Sequence, residues 1–101
     1  MDPGIPDIII SDVVISTTGR DMGRIYYVIQ SDPIYLYLAN GKDRTLEKPK
    51  RKKRKHVEKV LRSETRVAQK LRAGDKVLNG ELRRDLASIS QELQSNNPGG
   101  F

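Results

Sequence analysis

The sequence predicts a mainly β fold, a small barrel of about five strands followed by a two-helix C-terminal extension. Three observations carry this. Apolar residues in the first sixty positions come in short β-branched or alternating runs, divided by Gly, Pro and Asn-Gly breaks. Near residue 61 the apolar spacing changes to that of a helix. All four tyrosines lie between positions 26 and 37, which puts the best core-forming stretch in the first half. The resulting plan is an extended lead-in over 1–10, the barrel over 11–60, the helical extension over 61–95 and a flexible tail over 96–101.

In chain order, residues 1–7 hold two prolines and a glycine and read as extended. Ile8, Ile9 and Ile10 either extend the first strand or cover the domain. Residues 12–16, Asp-Val-Val-Ile-Ser, are a β-branched strand, and the following turn carries Gly19 and Gly23, four apart. Residues 25–30 form the next strand, with Tyr26 and Tyr27 on opposite faces, so that one of them is core. Ser31, Asp32 and Pro33 make a turn in which proline fixes φ. Residues 34–38 alternate, with Ile34, Leu36 and Leu38 on one side and Tyr35 and Tyr37 on the other. Asn40-Gly41 is a hairpin signal, residues 43–47 a short polar edge strand, and 56–60 a last short strand.

Beyond that point Val60, Leu61, Val67, Ala68 and Leu71 share a helical stripe, with Ser63 as the N-cap and Gly74 as the stop. One continuous helix over 56–72 fits the same apolar positions. Asn79 caps a second helix in which Leu82, Leu86, Ile89 and Leu93 fall on one face. That stripe packs on its own domain or on a partner.

Composition bounds the function. Hydrophobic residues are 36 % and charged residues 32 % of the chain, so the core is small. With no cysteine there is no disulfide framework, thiolate zinc site or thiol nucleophile. His56 is the only histidine, and no paired carboxylates or phosphate-loop signature accompany it. The expectation is a non-enzyme with no cofactor, no metal and no small-molecule substrate. The acidic, proline-rich N-terminus is the reverse of a signal peptide, and no apolar run approaches a membrane span. A soluble, cytoplasmic protein with no membrane partner is expected.

The charge is concentrated. The chain carries 19 Lys and Arg against 13 Asp and Glu, a net +6. Lys48, Lys50, Arg51, Lys52, Lys53, Arg54 and Lys55 supply that excess: without these seven, 12 would face 13, a net −1. Read from the sequence, nothing nearby neutralises them, and residues 48–55 are a basic loop suited to a polyanion. A solvated charge run and a nuclear localisation signal fit the same residues.

The glycine turn adds a second basic feature. Gly19 and Gly23 sit where the chain needs positive φ or where a ligand comes too close for a Cβ. Arg20 and Arg24 follow them and project from the end of a sheet, either to phosphates or into solvent with Arg20 paired to Asp21. Residues 12–29, Asp-Val-Val-Ile-Ser-Thr-Thr-Gly-Arg-Asp-Met-Gly-Arg-Ile-Tyr-Tyr-Val-Ile, resemble a KOW motif. More closely, the chain is similar to the small bacterial KOW-domain RNA-binding proteins, relatives of the KOW-containing large-subunit ribosomal proteins of archaea and eukaryotes. The resemblance continues through Tyr-Leu-Tyr-Leu-Ala-Asn-Gly at 35–41, the Leu-Glu-Lys-Pro-Lys opening of the basic stretch at 46–50, and 74–84.

The resemblance implies an SH3-like barrel that binds structured RNA, ribosomal RNA above all, with ribosomal proteins as possible neighbours. Gly19, Arg20, Gly23, Arg24, Arg44, Lys48, Lys50, Arg51, Lys52, Lys53, Arg54 and Lys55 would then form the RNA surface. Phosphate contacts of this kind give affinity and register rather than sequence readout. Tyr35 and Tyr37 would stack on bases if the aliphatic side of their strand is inside; otherwise they simply cover the domain. A protein-interaction adaptor of a transcription or translation complex is the rival class, because SH3-like barrels also bind peptides.

Overall fold

The computed structural model describes residues 7–95. The predicted tail 96–101 and residues 1–6 of the lead-in lie outside the described residues. Five strands, β1 (Asp12–Ser16), β2 (Ile25–Ser31), β3 (Tyr35–Ala39), β4 (Lys50–Lys53) and β5 (Val57–Arg62), precede two helices, α1 (Arg66–Ala73) and α2 (Asn79–Ser95). A 3-10 turn, Arg54–His56, joins β4 to β5. The strands form one antiparallel sheet in the order β4-β3-β2-β1-β5. Strand and α-helix take nearly equal shares of the described residues, so the fold is a small mixed α/β one rather than mainly β.

Each face of the sheet carries a buried cluster. On one, Val13, Tyr27 and Ala39 pack with Val67 and Ala68 of α1 and Leu82, Leu86 and Ile89 of α2. On the other, Val14, Tyr26, Val28, Leu36, Leu38 and Val57 close on one another with Ile8 over them. The pairing shifts register between Val13 and Val14 and again between Val28 and Gln30. Such bulges bend a strand and increase its twist. Both Tyr26 and Tyr27 are therefore core, one on each side, where the sequence suggested only one.

A side-chain network locks the helices to the sheet. The Tyr27 hydroxyl donates to the Asp85 carboxylate on α2 and lies 2.8 Å from Ser63 Oγ. Thr65 Oγ1 donates to Asp85 Oδ2 at 2.8 Å and accepts from Ala68 N at 3.2 Å, so Thr65, not Ser63, caps α1. Ser63 is taken by Tyr27 instead. Gly74 ends α1 in the left-handed region at φ 75°, as predicted. Residues 57–62 are a strand, which excludes the continuous helix over 56–72 and moves the start of the helical extension beyond residue 62.

Three further expectations are corrected. Residues 43–47 form no strand, because the Asn40 side chain organises a turn there, accepting from Lys42 N at 3.0 Å and Arg44 N at 3.1 Å. Asn79 opens α2 without capping it. Its side chain turns back, accepting from Leu46 N at 2.8 Å and donating to Glu47 Oε1 at 2.8 Å, while Glu81 receives the Leu78 N–H. The stretch 48–55 is not a loop: four of its residues are strand β4, paired with β3 from Tyr35↔Lys53 to Leu38↔Lys50.

Candidate nucleic-acid interface

Because β4 is a strand, its basic residues alternate between two faces. Lys50 and Lys52 pair across from Leu38 and Leu36 and so lie on the self-covered face. Lys52 is buried, and its Nζ donates to Asp21 Oδ1 and to Thr18 O, both at 2.7 Å. Lys50 Nζ lies 3.3 Å from the other oxygen of the same carboxylate. Asp21 sits between the two glycines of the β1–β2 turn and also accepts from Ser16 Oγ at 2.8 Å and Tyr26 at 3.1 Å. The statement that nothing nearby neutralises the basic run is thus corrected: one buried carboxylate takes two of its lysines. Burial alone would raise the Asp21 pKa, but the bonds from Lys52, Ser16, Lys50 and Tyr26 outweigh it and hold the carboxyl well below the usual range. Tyr26, buried beside that carboxylate, is pushed up to about 12.

Arg54 is structural as well. Its Nε donates to Asp32 O at 2.8 Å and its Nη1 to Ile8 O at 2.9 Å, which ties down the segment covering the core. The exposed members of the basic stretch are Lys48, Arg51, Lys53 and Lys55. Arg51 and Lys53 share a face with their cross-strand partners Tyr37 and Tyr35. The Arg51 guanidinium lies over the Tyr35 ring, 4.4 Å from its centre. The aliphatics Leu36 and Leu38 are inside, so both tyrosines are on the outside, half-buried.

The glycine turn holds a second group. Gly19 and Gly23 have φ of 87° and 91°, conformations that other residues rarely adopt. At Gly23 a Cβ would meet open space, so the requirement there is conformational rather than steric. The turn presents Arg20 and Arg24, both exposed. Arg20 pairs with nothing among the described residues; Asp21, its expected partner, is engaged by lysines. Arg24 is ion-paired with Asp43, which Asn40 Nδ2 also holds at 2.7 Å.

These parts meet. Arg20 and Arg24 from the turn, Arg44 from the β3–β4 connection and Lys50 from β4 line one recess of about 210 Å³, together with Asp21, Asp43 and Tyr26. Four cations face two carboxylates there, and Lys52 lies against Asp21 from beneath, so the surface is positive. Of the residues the sequence singled out, Lys48, Arg51, Lys53 and Lys55 are exposed but do not line this recess. Sequence reasoning missed Asp43 and gave Asp21 only as a partner for Arg20; both carboxylates hold basic groups in place. The signal for Asp21 was its place between the two glycines.

Among the described residues no group of three or more His, Cys, Asp or Glu is placed to hold a metal ion. No described helix is long and apolar enough to cross a membrane. The chain matches no protein-family model and no curated protein.

Proposed function

We propose that this chain is a non-enzymatic RNA-binding module of the bacterial KOW type, acting in the cytoplasm on ribosomal or other structured RNA. The observation that carries the reading is the convergence of Arg20, Arg24, Arg44 and Lys50, from three separate segments, on one recess. Phosphate oxygens are the ligands such a group suits, since guanidinium groups bind them in charge-assisted pairs. The strand order supports an SH3-like barrel: a four-strand meander whose fifth strand returns to β1. In that reading the bonds from Lys52 on edge strand β4 to Thr18 and Asp21 on the β1–β2 turn would serve as a polar seam of the barrel. The strip of Tyr35, Tyr37, Arg51 and Lys53 adds aromatic faces and charge of the kind that hold unpaired bases.

The localisation-signal reading loses ground, because Lys50, Lys52 and Arg54 are engaged within the fold. Fluorescence anisotropy of a labelled stem-loop RNA, titrated at increasing KCl, tests the proposal. Affinity should fall steeply and linearly on a log–log plot as phosphate contacts release counterions. No binding even at low salt would sink it. Crosslinking in cells with sequencing of the sites would identify the RNA, with ribosomal RNA the expected product. If a native complex of the protein survived RNase unchanged, the protein-adaptor reading would replace it.

A further inference from the structure

The basic surface does not stop at the glycine turn. The recess beside Arg20 shares Arg24 and Asp43 with a second hollow of about 360 Å³ lined by Ile25, Asn40 and Lys42. That hollow shares Ile25, Asn40 and Lys42 with a third of about 390 Å³, whose far wall is Arg83, Leu86 and Ala87 of α2. Through these shared residues the three follow one another as a path from β4 to the second helix. Its continuity has a local cause. Gly41 lies so close to the first turn of α2 that a Cβ there would come 2.1 Å from Asn79 O. The turn carrying Lys42 and Arg44 is therefore seated directly against the helix carrying Arg83.

Six cations, Arg20, Arg24, Lys42, Arg44, Lys50 and Arg83, line this path, against the two carboxylates already described. Lys42 and Arg83 are exposed and make no ion pair among the described residues. Between them the lining is mixed, with Leu86 and Ala87 on α2 and Ile25 on β2 beside the polar Asn40 and Ser90. An open path of spaced cations suits a chain of phosphates better than one small anion, which would need enclosure by converging donors.

We infer that the RNA track crosses Lys42 and climbs onto α2, where Arg83 is a further phosphate contact, so the helical extension is part of the binding surface. This rests on the RNA-binding reading and adds to it two contact residues and a direction. The test is anisotropy of a labelled stem-loop RNA with the full chain carrying Lys42→Gln, Arg83→Gln or both, across a KCl series. Each substitution should weaken binding several-fold and reduce the salt slope by about one, and the pair by about two. Arg66→Gln, exposed on α1 away from the groove, should change neither. Circular dichroism and urea midpoints should match the parent, since neither Lys42 nor Arg83 supports the fold.

The two readings fail separately. If Arg20→Gln and Arg44→Gln flatten the salt slope while Lys42→Gln and Arg83→Gln leave it intact, the track ends at the turn and this inference is overturned alone. If the parent chain binds no RNA, both fall. If the same stem made of DNA binds as tightly as the RNA, the occupant assigned to the groove is wrong.

Discussion

The ammonium of Lys52 and the carboxylate of Asp21 lie 2.7 Å apart, both side chains only 8 % exposed, and join edge strand β4 to the turn between β1 and β2. Removing one partner of such a pair leaves a buried charge without its counter-ion, which costs about 3–5 kcal/mol. Lys50 remains near Asp21, so Lys52→Gln should fall toward the lower end, about 3 kcal/mol, in urea unfolding. Lys53→Gln, one residue on but facing outward, should leave stability within about 0.5 kcal/mol and weaken RNA binding instead. Equal stability losses for the two variants would refute the alternation of the basic strand.

The same carboxylate sets a pH dependence. The pKa of Asp21 is lowered in the folded protein, so its contribution is complete above the unfolded value of about 3.9 and is lost as pH falls below it. Unfolding free energy measured from pH 7 down to pH 3 should drop most steeply below about pH 4. Asp21→Asn should be less stable at neutral pH and show a shallower acid loss. A parent and variant with parallel pH profiles would contradict this.

Gly41 and Gly23 both adopt positive φ, but for different surroundings. Gly23→Ala should cost only the backbone strain, about 1–2 kcal/mol. Gly41→Ala adds a clash with the backbone of α2, so its loss should exceed that of Gly23→Ala by at least about 1 kcal/mol. Hydrogen exchange should rise along α2 in the Gly41 variant alone.

Tyr27→Phe removes the hydroxyl shared by Ser63, Thr65 and Asp85 and leaves those groups with fewer partners in a partly buried site. A loss of about 1–3 kcal/mol is expected, with loosening of both helices rather than of the sheet. Burial and the Asp85 bond push the Tyr27 pKa up to about 12. Stability contributed by the neutral phenol is present below the unfolded value of about 10 and lost as pH rises toward the folded one. Tyr27→Phe should abolish that part of the alkaline loss.

Asp43 holds Arg24 on the wall of the recess. Asp43→Asn should free the guanidinium, raise affinity for stem-loop RNA about two- to fivefold and steepen the salt slope. An unchanged slope would mean that Arg24 makes no phosphate contact.

Much of the fold was legible where periodicity was strong. The strands around Tyr26 and Leu36, the stop at Gly74 and the stripe Leu82, Leu86 and Ile89 all follow from apolar spacing and glycine chemistry. Leu93, on the same predicted stripe, is 41 % exposed. Four consecutive charged residues carry no such spacing, and strand β4 was invisible for that reason. Its formation depends on Asp21, twenty-nine positions before Lys50, and on Leu36 and Leu38 across the ladder. The caps failed for the same kind of reason: Ser63 and Asn79 were claimed by Tyr27 and by Leu46 and Glu47, partners distant in sequence. Among the site residues, Arg20, Arg24, Arg44 and Lys50 line one recess. Lys52 and Arg54 were drawn inward by acceptors no local pattern reveals.

The alternation along β4 has a consequence for the thermodynamics of docking. A disordered basic tail would have to lose about 1–2 kcal/mol of backbone entropy for each residue it fixed on a ligand. Here that ordering is complete before any ligand arrives, because every second side chain is already clamped inside. The outward charges stand like the teeth of a comb, roughly 6.6 Å apart along the strand. Any polyanion that settles on them meets a backbone already in place, and the ordering left to the protein is that of its outward side chains.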